Sequence, residues 1–478
     1  MKICRTIVAI SIAFLLLCGL QGCNKTNKNG VLVTVTSMIP NHGGTGTVVT
    51  ITGTGFYADT TQETVSVALL NANIISATAT QIVFSVPMVK DSATIDSTIV
   101  FVTVQNQAVV NAGTFYFDNA TVGSADVSTF AGSGNGGSAN ATGTAASFQN
   151  PENGVFDQSG NMYVADYGNN EIRKITPAGV VSTYAGTTTA GWKDGPASQA
   201  QFQNPSGLVF DNRGNLYVSD ELNNRIRMID PSGNVSTIAG SGTAGYHDAP
   251  GTSAQFNRPI GLAYDSVGAI LYVADSRNNV IRMIQLNQSD NVFTFAGSGQ
   301  AGSQDGQFIN GTPLNVSFNS PRGLALYHAS TQETVIYVAD YSNNKIRECA
   351  IVGDNVAVST ANGNPNNQAG FINGSAATFN GPNSVTIGFS KSQNTYELLI
   401  ADASNHAIRV SANTDLSTLF SGNMPVETLA GTGAAGLKNG TYSAAQFYFP
   451  DGVAYNPADG NVYVIEFGNN DVRKVILQ

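Results

Sequence analysis

Six copies of one short phrase organise this sequence. They are YVADYGNNEIRK at 163–174, YVSDELNNRIRM at 217–228, YVADSRNNVIRM at 272–283, YVADYSNNKIRE at 337–348, LIADASNHAIRV at 399–410 and YVIEFGNNDVRK at 463–474. The copies recur at a spacing of roughly 55 to 65 residues. A repeat of this length indicates a ring or a stack of equivalent structural units.

A second repeated phrase is out of phase with the first. Its six copies are VSTFAG at 127–132, VSTYAG at 181–186, VSTIAG at 235–240, VFTFAG at 292–297, VSTANG at 358–363 and VETLAG at 426–431. The first of these copies has no YVAD phrase before it, and the last YVIE phrase has no VST phrase after it. Joining the two ends completes six units, so we expect the strand at 127–132 to close a ring by pairing with the third strand of the last unit.

Each unit contains four short strand patterns. In residues 205–240 the strands are PSGLVFD, NLYVSD, RIRMID and NVSTIAG, and the turns between them contain the Asn, Asp, Pro and Gly that tight turns require. The second strand is apolar on successive residues, which is typical of a strand covered on both faces. Four such strands joined by hairpins predict one blade of a β-propeller.

The repeats at about residues 125–478 resemble NHL repeats. This resemblance implies a six-bladed β-propeller, which we place at residues 127–478. It says little about function, because NHL propellers include protein binders, RNA binders and some enzymes.

A different segment precedes the repeats. Residues 31–118 are rich in Val, Thr and Ile in strand-like runs, which predicts a small β-sandwich. Its opening, with Ile39 and Pro40, a cluster of glycines, VVTITG and Phe56, resembles an IPT/TIG immunoglobulin-like domain. The fold class expected for the chain is therefore all-β, an Ig-like sandwich followed by a six-bladed propeller. We expect the sandwich to act as a spacer or docking module, joined to the propeller by a linker at 119–126.

The first residues resemble an export leader. Lys2 and Arg5 precede the apolar run IVAISIAFLLLCGL, and Leu20 to Cys23 resemble a bacterial lipobox. The resemblance implies a lipoprotein signal peptide at 1–22, lipidation of Cys23 and a tether at 23–30. We expect a lipid anchor in the outer membrane of a Gram-negative bacterium. The tether lacks the acidic cluster of surface-exported lipoproteins, which favours the periplasmic face.

Charge and cysteine content narrow the partners. The formal net charge is −10 and no concentrated basic cluster is present, so nucleic acid is excluded as an expected partner. Cys4 and Cys18 lie in the leader and Cys23 would be lipidated, which leaves Cys349 and no disulfide within the mature chain. The only expected contact with a membrane is the lipid anchor.

The repeated acids and arginines do not identify a site. Asp220 and its equivalents end each second strand, and we interpret them as acceptors for the Asn-Asn turn and as partners of the arginines seven residues later. Functional residues are instead expected where the repeats differ, in the long loops that join one unit to the next. The predicted ligand-binding residues on this rim are Trp192, Lys193, Asp194, Tyr246, His247, Asp248, Asp305 and Phe371.

Two functions stay open. The first is binding of a glycan or an envelope protein by the rim at the channel mouth, where the three aromatic residues could stack on a ligand or could simply cover the neighbouring blade. The alternative is a metal-dependent hydrolase or lactonase, as in gluconolactonase-like six-bladed propellers. No cofactor is predicted, although an oxygen-liganded Ca²⁺ site needs no fixed sequence spacing. No catalytic residue is assigned, and an enzyme is the less favoured reading.

Overall fold

The structure is a computed structural model, and it describes residues 26–27, 29–43, 47–67, 70–86, 97–104, 108–117, 126–309, 312–328, 334–352, 355–374, 376–390, 395–413 and 425–477. The predicted leader, Cys23 and most of the predicted linker lie outside these residues. The chain divides into two compact units between Thr121 and Val122. Within the described residues, no helix is long and apolar enough to cross a membrane.

The first unit is a sandwich of two β-sheets. The four strands of one sheet, in spatial order, are Thr34–Ile39, Val48–Thr54, Gln81–Ser85 and Asn73–Thr78. The five strands of the other sheet, in spatial order, are His42–Gly43, Ala108–Phe117, Ser97–Val104, Glu63–Val67 and Leu70–Asn71. A short 3₁₀ helix, Thr60–Gln62, precedes Glu63–Val67.

The sandwich core follows from the alternation of its strands. Along Val48–Thr54 every second side chain is buried, so Val49 and Ile51 point inward while Thr50 and Thr52 are partly exposed. The facing sheet contributes Val100 and other apolar side chains to the same cluster. The apolar face of each sheet is thus covered by the other sheet.

The second unit is a six-bladed propeller in which each blade is an antiparallel sheet. The strands of blades 1, 2 and 3, from the innermost outward, are Asn153–Phe156, Met162–Asp166, Glu171–Ile175 and Val181–Gly186; Pro205–Phe210, Leu216–Asp220, Arg225–Ile229 and Asn234–Ala239; and Pro259–Asp265, Ile270–Asp275, Val280–Gln285 and Asn291–Ala296. The strands of blades 4, 5 and 6 are Pro321–His328, Thr334–Asp340, Lys345–Val352 and Asn355–Gly363; Pro382–Ser390, Thr395–Asp402, Ala407–Asn413 and Val426–Ala430; and Pro450–Asn456, Asn461–Glu466, Asp471–Ile476 and Asp126–Ala131.

Short elements decorate this ring. Additional outer strands are Gly195–Pro196, Gly306–Ile309, Thr312–Leu314 and Gly440–Thr441. Short 3₁₀ helices follow the second strands of blades 1 to 5, at Tyr167–Asn169, Glu221–Asn223, Ser276–Asn278, Tyr341–Asn343 and Ala403–Asn405. Two more lie in the connecting loops, at Gly143–Ala145 and Gly251–Ser253.

The sixth blade combines residues that are distant in the sequence. Its outer strand, Asp126–Ala131, pairs antiparallel with the third strand, Asp471–Ile476, with Val127 opposite Val475. Val127 is 2% exposed and packs in the cluster that also contains Leu399 and Val453. This pairing closes the ring and covers the edge that the third strand would otherwise expose.

The second strand of each blade is buried on both faces. All five residues of Met162–Asp166 are buried, as are all five of Leu216–Asp220. This confirms the interpretation of the continuous apolar runs, because neighbouring blades cover both faces of each sheet. The innermost strands surround a central cavity of about 270 Å³ with an apolar lining that includes Leu208, Leu262 and Leu324.

Candidate functional site

The acid at the end of each second strand is the centre of a buried hydrogen-bond network. Asp220 accepts hydrogen bonds from Arg227 Nη1 at 2.7 Å, from Asn223 Nδ2 at 2.9 Å and from the Gln203 N–H at 2.7 Å. The equivalent acids make the equivalent arginine bond in every other blade, and they are Asp166, Asp275, Asp340, Asp402 and Glu466. The interpretation of these acids as turn acceptors and arginine partners is therefore confirmed.

The second Asn of each Asn-Asn turn links neighbouring blades. Asn224 adopts the left-handed conformation, with φ of 51°, and its Oδ1 accepts a hydrogen bond of 3.0 Å from the Arg258 N–H at the entrance to the next blade. In blade 5 the same position is His406, whose Nδ1 accepts from the Phe449 N–H at 3.2 Å. A histidine thus retains the acceptor that asparagine supplies elsewhere.

The three acids predicted to bind a ligand have structural partners. Asp194 Oδ1 accepts from Arg227 Nη2 at 2.6 Å, Asp248 pairs with Arg282, and Asp305 accepts from Arg347 Nη2 at 2.8 Å. In the other three blades the same acceptor role is filled by Asn140, Asn373 and Asn439. These acids therefore belong to a set of six equivalent positions that hold the buried arginines.

The three predicted aromatic residues pack beside third and fourth strands. Trp192 lies against the Arg225 guanidinium, 3.8 Å from ring centroid to Cζ, and donates from Nε1 to Thr237 Oγ1 at 3.0 Å. The Tyr246 hydroxyl lies 2.8 Å from Thr294 Oγ1, and the Phe371 ring lies 4.8 Å from the Arg409 guanidinium carbon. Since Thr237 and Thr294 lie on the outermost strands of their blades, Trp192 and Tyr246 lie at the periphery of the ring.

The remaining two predicted residues support the same arginines through the backbone. The carbonyl groups of Lys193 and His247 accept hydrogen bonds from Arg227 Nη2 and Arg282 Nη2. All eight predicted rim residues are described, and none of them lines the central cavity or the mouth cavity defined below. Their role in ligand binding stays a prediction.

A second cavity, of about 340 Å³, opens at the end of the ring where the innermost strands begin. We call it the mouth cavity. Its lining residues are Glu152, Tyr167, Glu221, Arg258, Ile260, Ser276, Arg277, Ser320, Arg322, Tyr341 and Ser342. They come from the first residues of the innermost strands and from the turns after the second strands. This volume lies in the range of small-molecule sites.

The mouth cavity is where the six blades differ most in charge. The residue after the proline that introduces each innermost strand is, in blade order, Glu152, Ser206, Ile260, Arg322, Asn383 and Asp451. Sequence reasoning missed this position because it looked for differences in the long loops. Alignment of the six repeats at this proline would have shown the change from acid to base to apolar residue.

Arg322 is held in a defined orientation across the mouth. Its Nη1 donates to Asn383 Oδ1 at 2.7 Å, and its guanidinium carbon lies 3.7 Å from the centroid of the Tyr341 ring. Asn383 in turn donates to the Asp451 carbonyl at 3.1 Å. A guanidinium fixed in this way presents its remaining donors without further loss of side-chain entropy.

The carboxyl groups at the mouth resist ionisation. Burial, followed by the charges of Glu221 and Asp451, raises the pKa of Glu152 well above its ordinary value, while Arg322 and Arg258 oppose the shift. Burial raises the pKa of Asp451 to about 7 and also raises that of Glu221, whose Oε1 lies 3.7 Å from Arg258 Nε. The mouth therefore combines fixed arginines with acids that favour their protonated form.

No group of three or more His, Cys, Asp or Glu side chains that could hold a metal ion occurs among the residues that the structure describes. This finding concerns side-chain ligands of the described residues alone. The predicted possibility of a Ca²⁺ site stays a prediction.

The fold and the repeated network define a class of protein, an immunoglobulin-like sandwich followed in sequence by a six-bladed β-propeller. The family models identify its parts: residues 33–117 match the IPT/TIG domain, and residues 190–410 match the Teneurin NHL domain. The chain thus contains an IPT/TIG domain followed by an NHL domain, and the expected fold class is confirmed.

Several known proteins resemble this chain. It is 39% identical over 101 residues to the protein SUPPRESSOR OF QUENCHING 1 of Arabidopsis thaliana, a match that covers 21% of this chain and 10% of that protein. It is 26% identical over 344 residues to NHL repeat-containing protein 2 of Bos taurus, covering 67% of this chain and 45% of that protein. The chain therefore spans less than half the length of either relative.

Among solved structures, an auxiliary nutrient binding protein from Bacteroides ovatus shares the fold with a TM-score of 0.55. Its sequence is 16% identical, and the match covers 95% of this chain and 100% of that chain. At this identity the likeness concerns the fold alone.

Proposed function

We propose that this protein is a lipid-anchored envelope protein that binds a glycan at the mouth cavity of its propeller. The observation that carries the proposal is the mouth cavity itself, a polar space of about 340 Å³ at the place where the symmetry of the blades is lost. A ligand that binds on the ring axis contacts several blades at once and can use each of their different side chains.

The chemistry of the lining suits a ligand rich in hydroxyl groups. Ser276, Ser320 and Ser342 can each donate and accept hydrogen bonds, and the arginines add donors. Tyr167 adds an aromatic ring together with a hydroxyl. A sugar needs both donors and acceptors, because each buried hydroxyl that finds no partner weakens binding.

The structural relative from Bacteroides ovatus is described as an auxiliary nutrient binding protein, which supports a binding role for this chain. The lipobox-like sequence at Cys23 supports an anchor to the outer membrane, with the periplasmic face favoured. In this proposal the IPT/TIG domain is a spacer between the anchor and the propeller.

The anchor is tested by fractionation of cells that make the full chain. We expect the wild-type chain in the membrane fraction with a mass increase from the lipid, and the Cys23→Ser variant without either property. Recovery of unlipidated wild-type chain in the soluble fraction would contradict the anchor and leave the binding site untouched.

The binding site is tested on the full chain with Cys23→Ser, applied to a panel of immobilised glycans. Ser342→Trp places a bulky side chain at an exposed position of the cavity lining and should abolish binding. Ser159→Trp, in the exposed turn between the first and second strands of blade 1, is the matched control at the opposite end of the ring. Equal binding by both variants would reject the mouth cavity as the site.

The alternative of a metal-dependent hydrolase has no specific support at this site. The described part of the mouth offers arginines and isolated carboxyl groups rather than a cluster of metal ligands. Envelope proteins are a second class of binding partner, and capture of such a protein with no glycan binding would replace the proposal.

A further inference from the structure

Three arginines lie together on one side of the mouth cavity. Arg258 and Arg277 belong to the entrance and the turn of blade 3, and Arg322 belongs to the first strand of blade 4. The whole chain contains 22 lysines and arginines among 478 residues and has a net charge of −10. A concentration of three arginines in one small cavity is therefore a local exception to the acidic character of the protein.

Several donors of these arginines are not used within the protein. Within the described residues, Arg322 Nε is buried without a hydrogen-bond partner, although Nη1 is bound to Asn383. Arg258 pairs with Glu221 through Nε at 3.7 Å, which is an ion pair at long range rather than a hydrogen bond. Arg277 is exposed at the edge of the cavity.

The acids of the lining do not neutralise the arginines. Glu221 is one carboxylate against three guanidinium groups. Glu152 faces Glu221 and Asp451 as well as Arg258 and Arg322, and its raised pKa means that it binds a proton where an ordinary glutamate would be charged. The lining therefore carries an excess of positive charge that the protein itself does not balance.

We propose that the glycan unit in the mouth cavity carries a carboxylate, which Arg258, Arg277 and Arg322 bind. The proposal rests on the proposed glycan-binding function. A planar guanidinium matches a carboxylate in geometry, and charge-assisted hydrogen bonds of this kind are the strongest that such a site can form. The protonated Glu152 would donate a hydrogen bond to the same unit rather than repel it.

The test compares acidic and neutral monosaccharides by isothermal titration calorimetry on the full chain with Cys23→Ser. The probes are glucuronate and galacturonate, their neutral counterparts glucose and galactose, and glucose 6-sulfate and glucose 6-phosphate as other anions. We expect a uronate to bind at least roughly tenfold more tightly than its neutral counterpart, as one charge-assisted interaction would give. A sulfate or phosphate that binds more tightly than both uronates would overturn the assignment of a carboxylate.

Arginine variants locate the effect. Arg277→Gln changes an exposed side chain and should weaken uronate binding by roughly tenfold while the affinity for neutral sugars stays the same. Arg322→Gln should do the same, with its folding checked separately because Arg322 is bonded to Asn383. Arg213→Gln is the matched control, an exposed arginine in the turn between the first and second strands of blade 2.

The outcomes separate the inference from the proposed function. If Ser342→Trp abolishes binding of neutral and acidic sugars that the wild-type chain binds equally well, the glycan site stands and the carboxylate inference fails. Unchanged uronate affinity in both Arg277→Gln and Arg322→Gln also overturns the inference. If no sugar of the panel binds, the proposed function fails and the inference fails with it.

Discussion

Arg347 and Asp340 form an ion pair inside blade 4, with 2.9 Å between Arg347 Nη1 and Asp340 Oδ2 and both side chains fully buried. Asp340 also accepts from Asn343 and from the Asn319 N–H, so one carboxylate joins the second strand, the turn and the entrance of the blade. Equivalent pairs in all six blades make this the repeated structural unit of the ring.

We expect Asp340→Ala to lower the free energy of unfolding by about 3 to 5 kcal/mol, because it leaves the Arg347 charge buried and uncompensated. The measurement is denaturant unfolding of the full chain. Lys474→Ala is the control, since the Lys474–Asp459 pair is partly exposed and such pairs contribute about 0 to 1 kcal/mol. Equal losses in the two variants would show that the buried pair has no special role.

Closure of the ring can be tested at two adjacent residues. Val127 is 2% exposed in the apolar cluster between blades 5 and 6, whereas Ser128 is exposed. Val127→Asp should lower the melting temperature of the propeller strongly, because it buries an unpaired carboxylate, and Ser128→Asp should leave it nearly unchanged. Similar melting temperatures for both variants would mean that the Asp126–Ala131 strand adds little to the ring.

The joint between blades 5 and 6 should depend on pH. Burial lowers the pKa of His406 below its ordinary 6.5, so the folded state favours the neutral imidazole whose Nδ1 accepts from the Phe449 N–H. The stabilisation is complete above pH 6.5, where the unfolded histidine is also neutral, and it is lost as pH falls through the lower folded pKa.

Its measurement is the unfolding free energy of wild type and His406→Asn between pH 7.5 and 5. Asparagine is the residue at this position in the other five blades and does not titrate there. We expect the difference in stability between the two proteins to change in favour of His406→Asn as pH falls. A difference that stays constant over this range would contradict the role of the neutral imidazole.

The aromatic residues of the long loops give a fourth prediction. Trp192 stacks on Arg225 and bonds to Thr237, so Trp192→Ala should cost about 1 kcal/mol in stability while glycan binding at the mouth persists. Calorimetric titration and thermal unfolding of the same variant decide the matter. Loss of binding at unchanged stability would instead support the loop rim as the ligand site.

The architecture could be predicted from the sequence because its signals are local and repeated six times. The YVAD strands, the Asn-Asn turns and the acid seven residues before each arginine all lie within a dozen residues. Asp194 was assigned to a ligand because its true partner, Arg227, lies 33 residues away on the next blade. A linear spacing does not show that contact, so a structural acid resembled an unpaired one.

The mouth cavity could not be predicted for a related reason. Glu152, Arg322 and Asp451 lie in three different repeats, and only the closed ring brings them to one axis. The burial that raises the pKa of Glu152 and Asp451 is likewise a property of the assembled ring. Sequence reasoning located the correct end of the propeller but selected the loops rather than the entrance of the innermost strands.

Completion of blade 6 also has a consequence for how the protein is made. The Asn150 N–H donates to Asn470 Oδ1 across 320 residues, and Asp126–Ala131 pairs with Asp471–Ile476. A ribosome adds roughly 5 to 20 residues per second, so the first strand waits for tens of seconds before its partner emerges. During translation the unpaired edge needs protection from other nascent chains, and a general chaperone or rapid export would provide it.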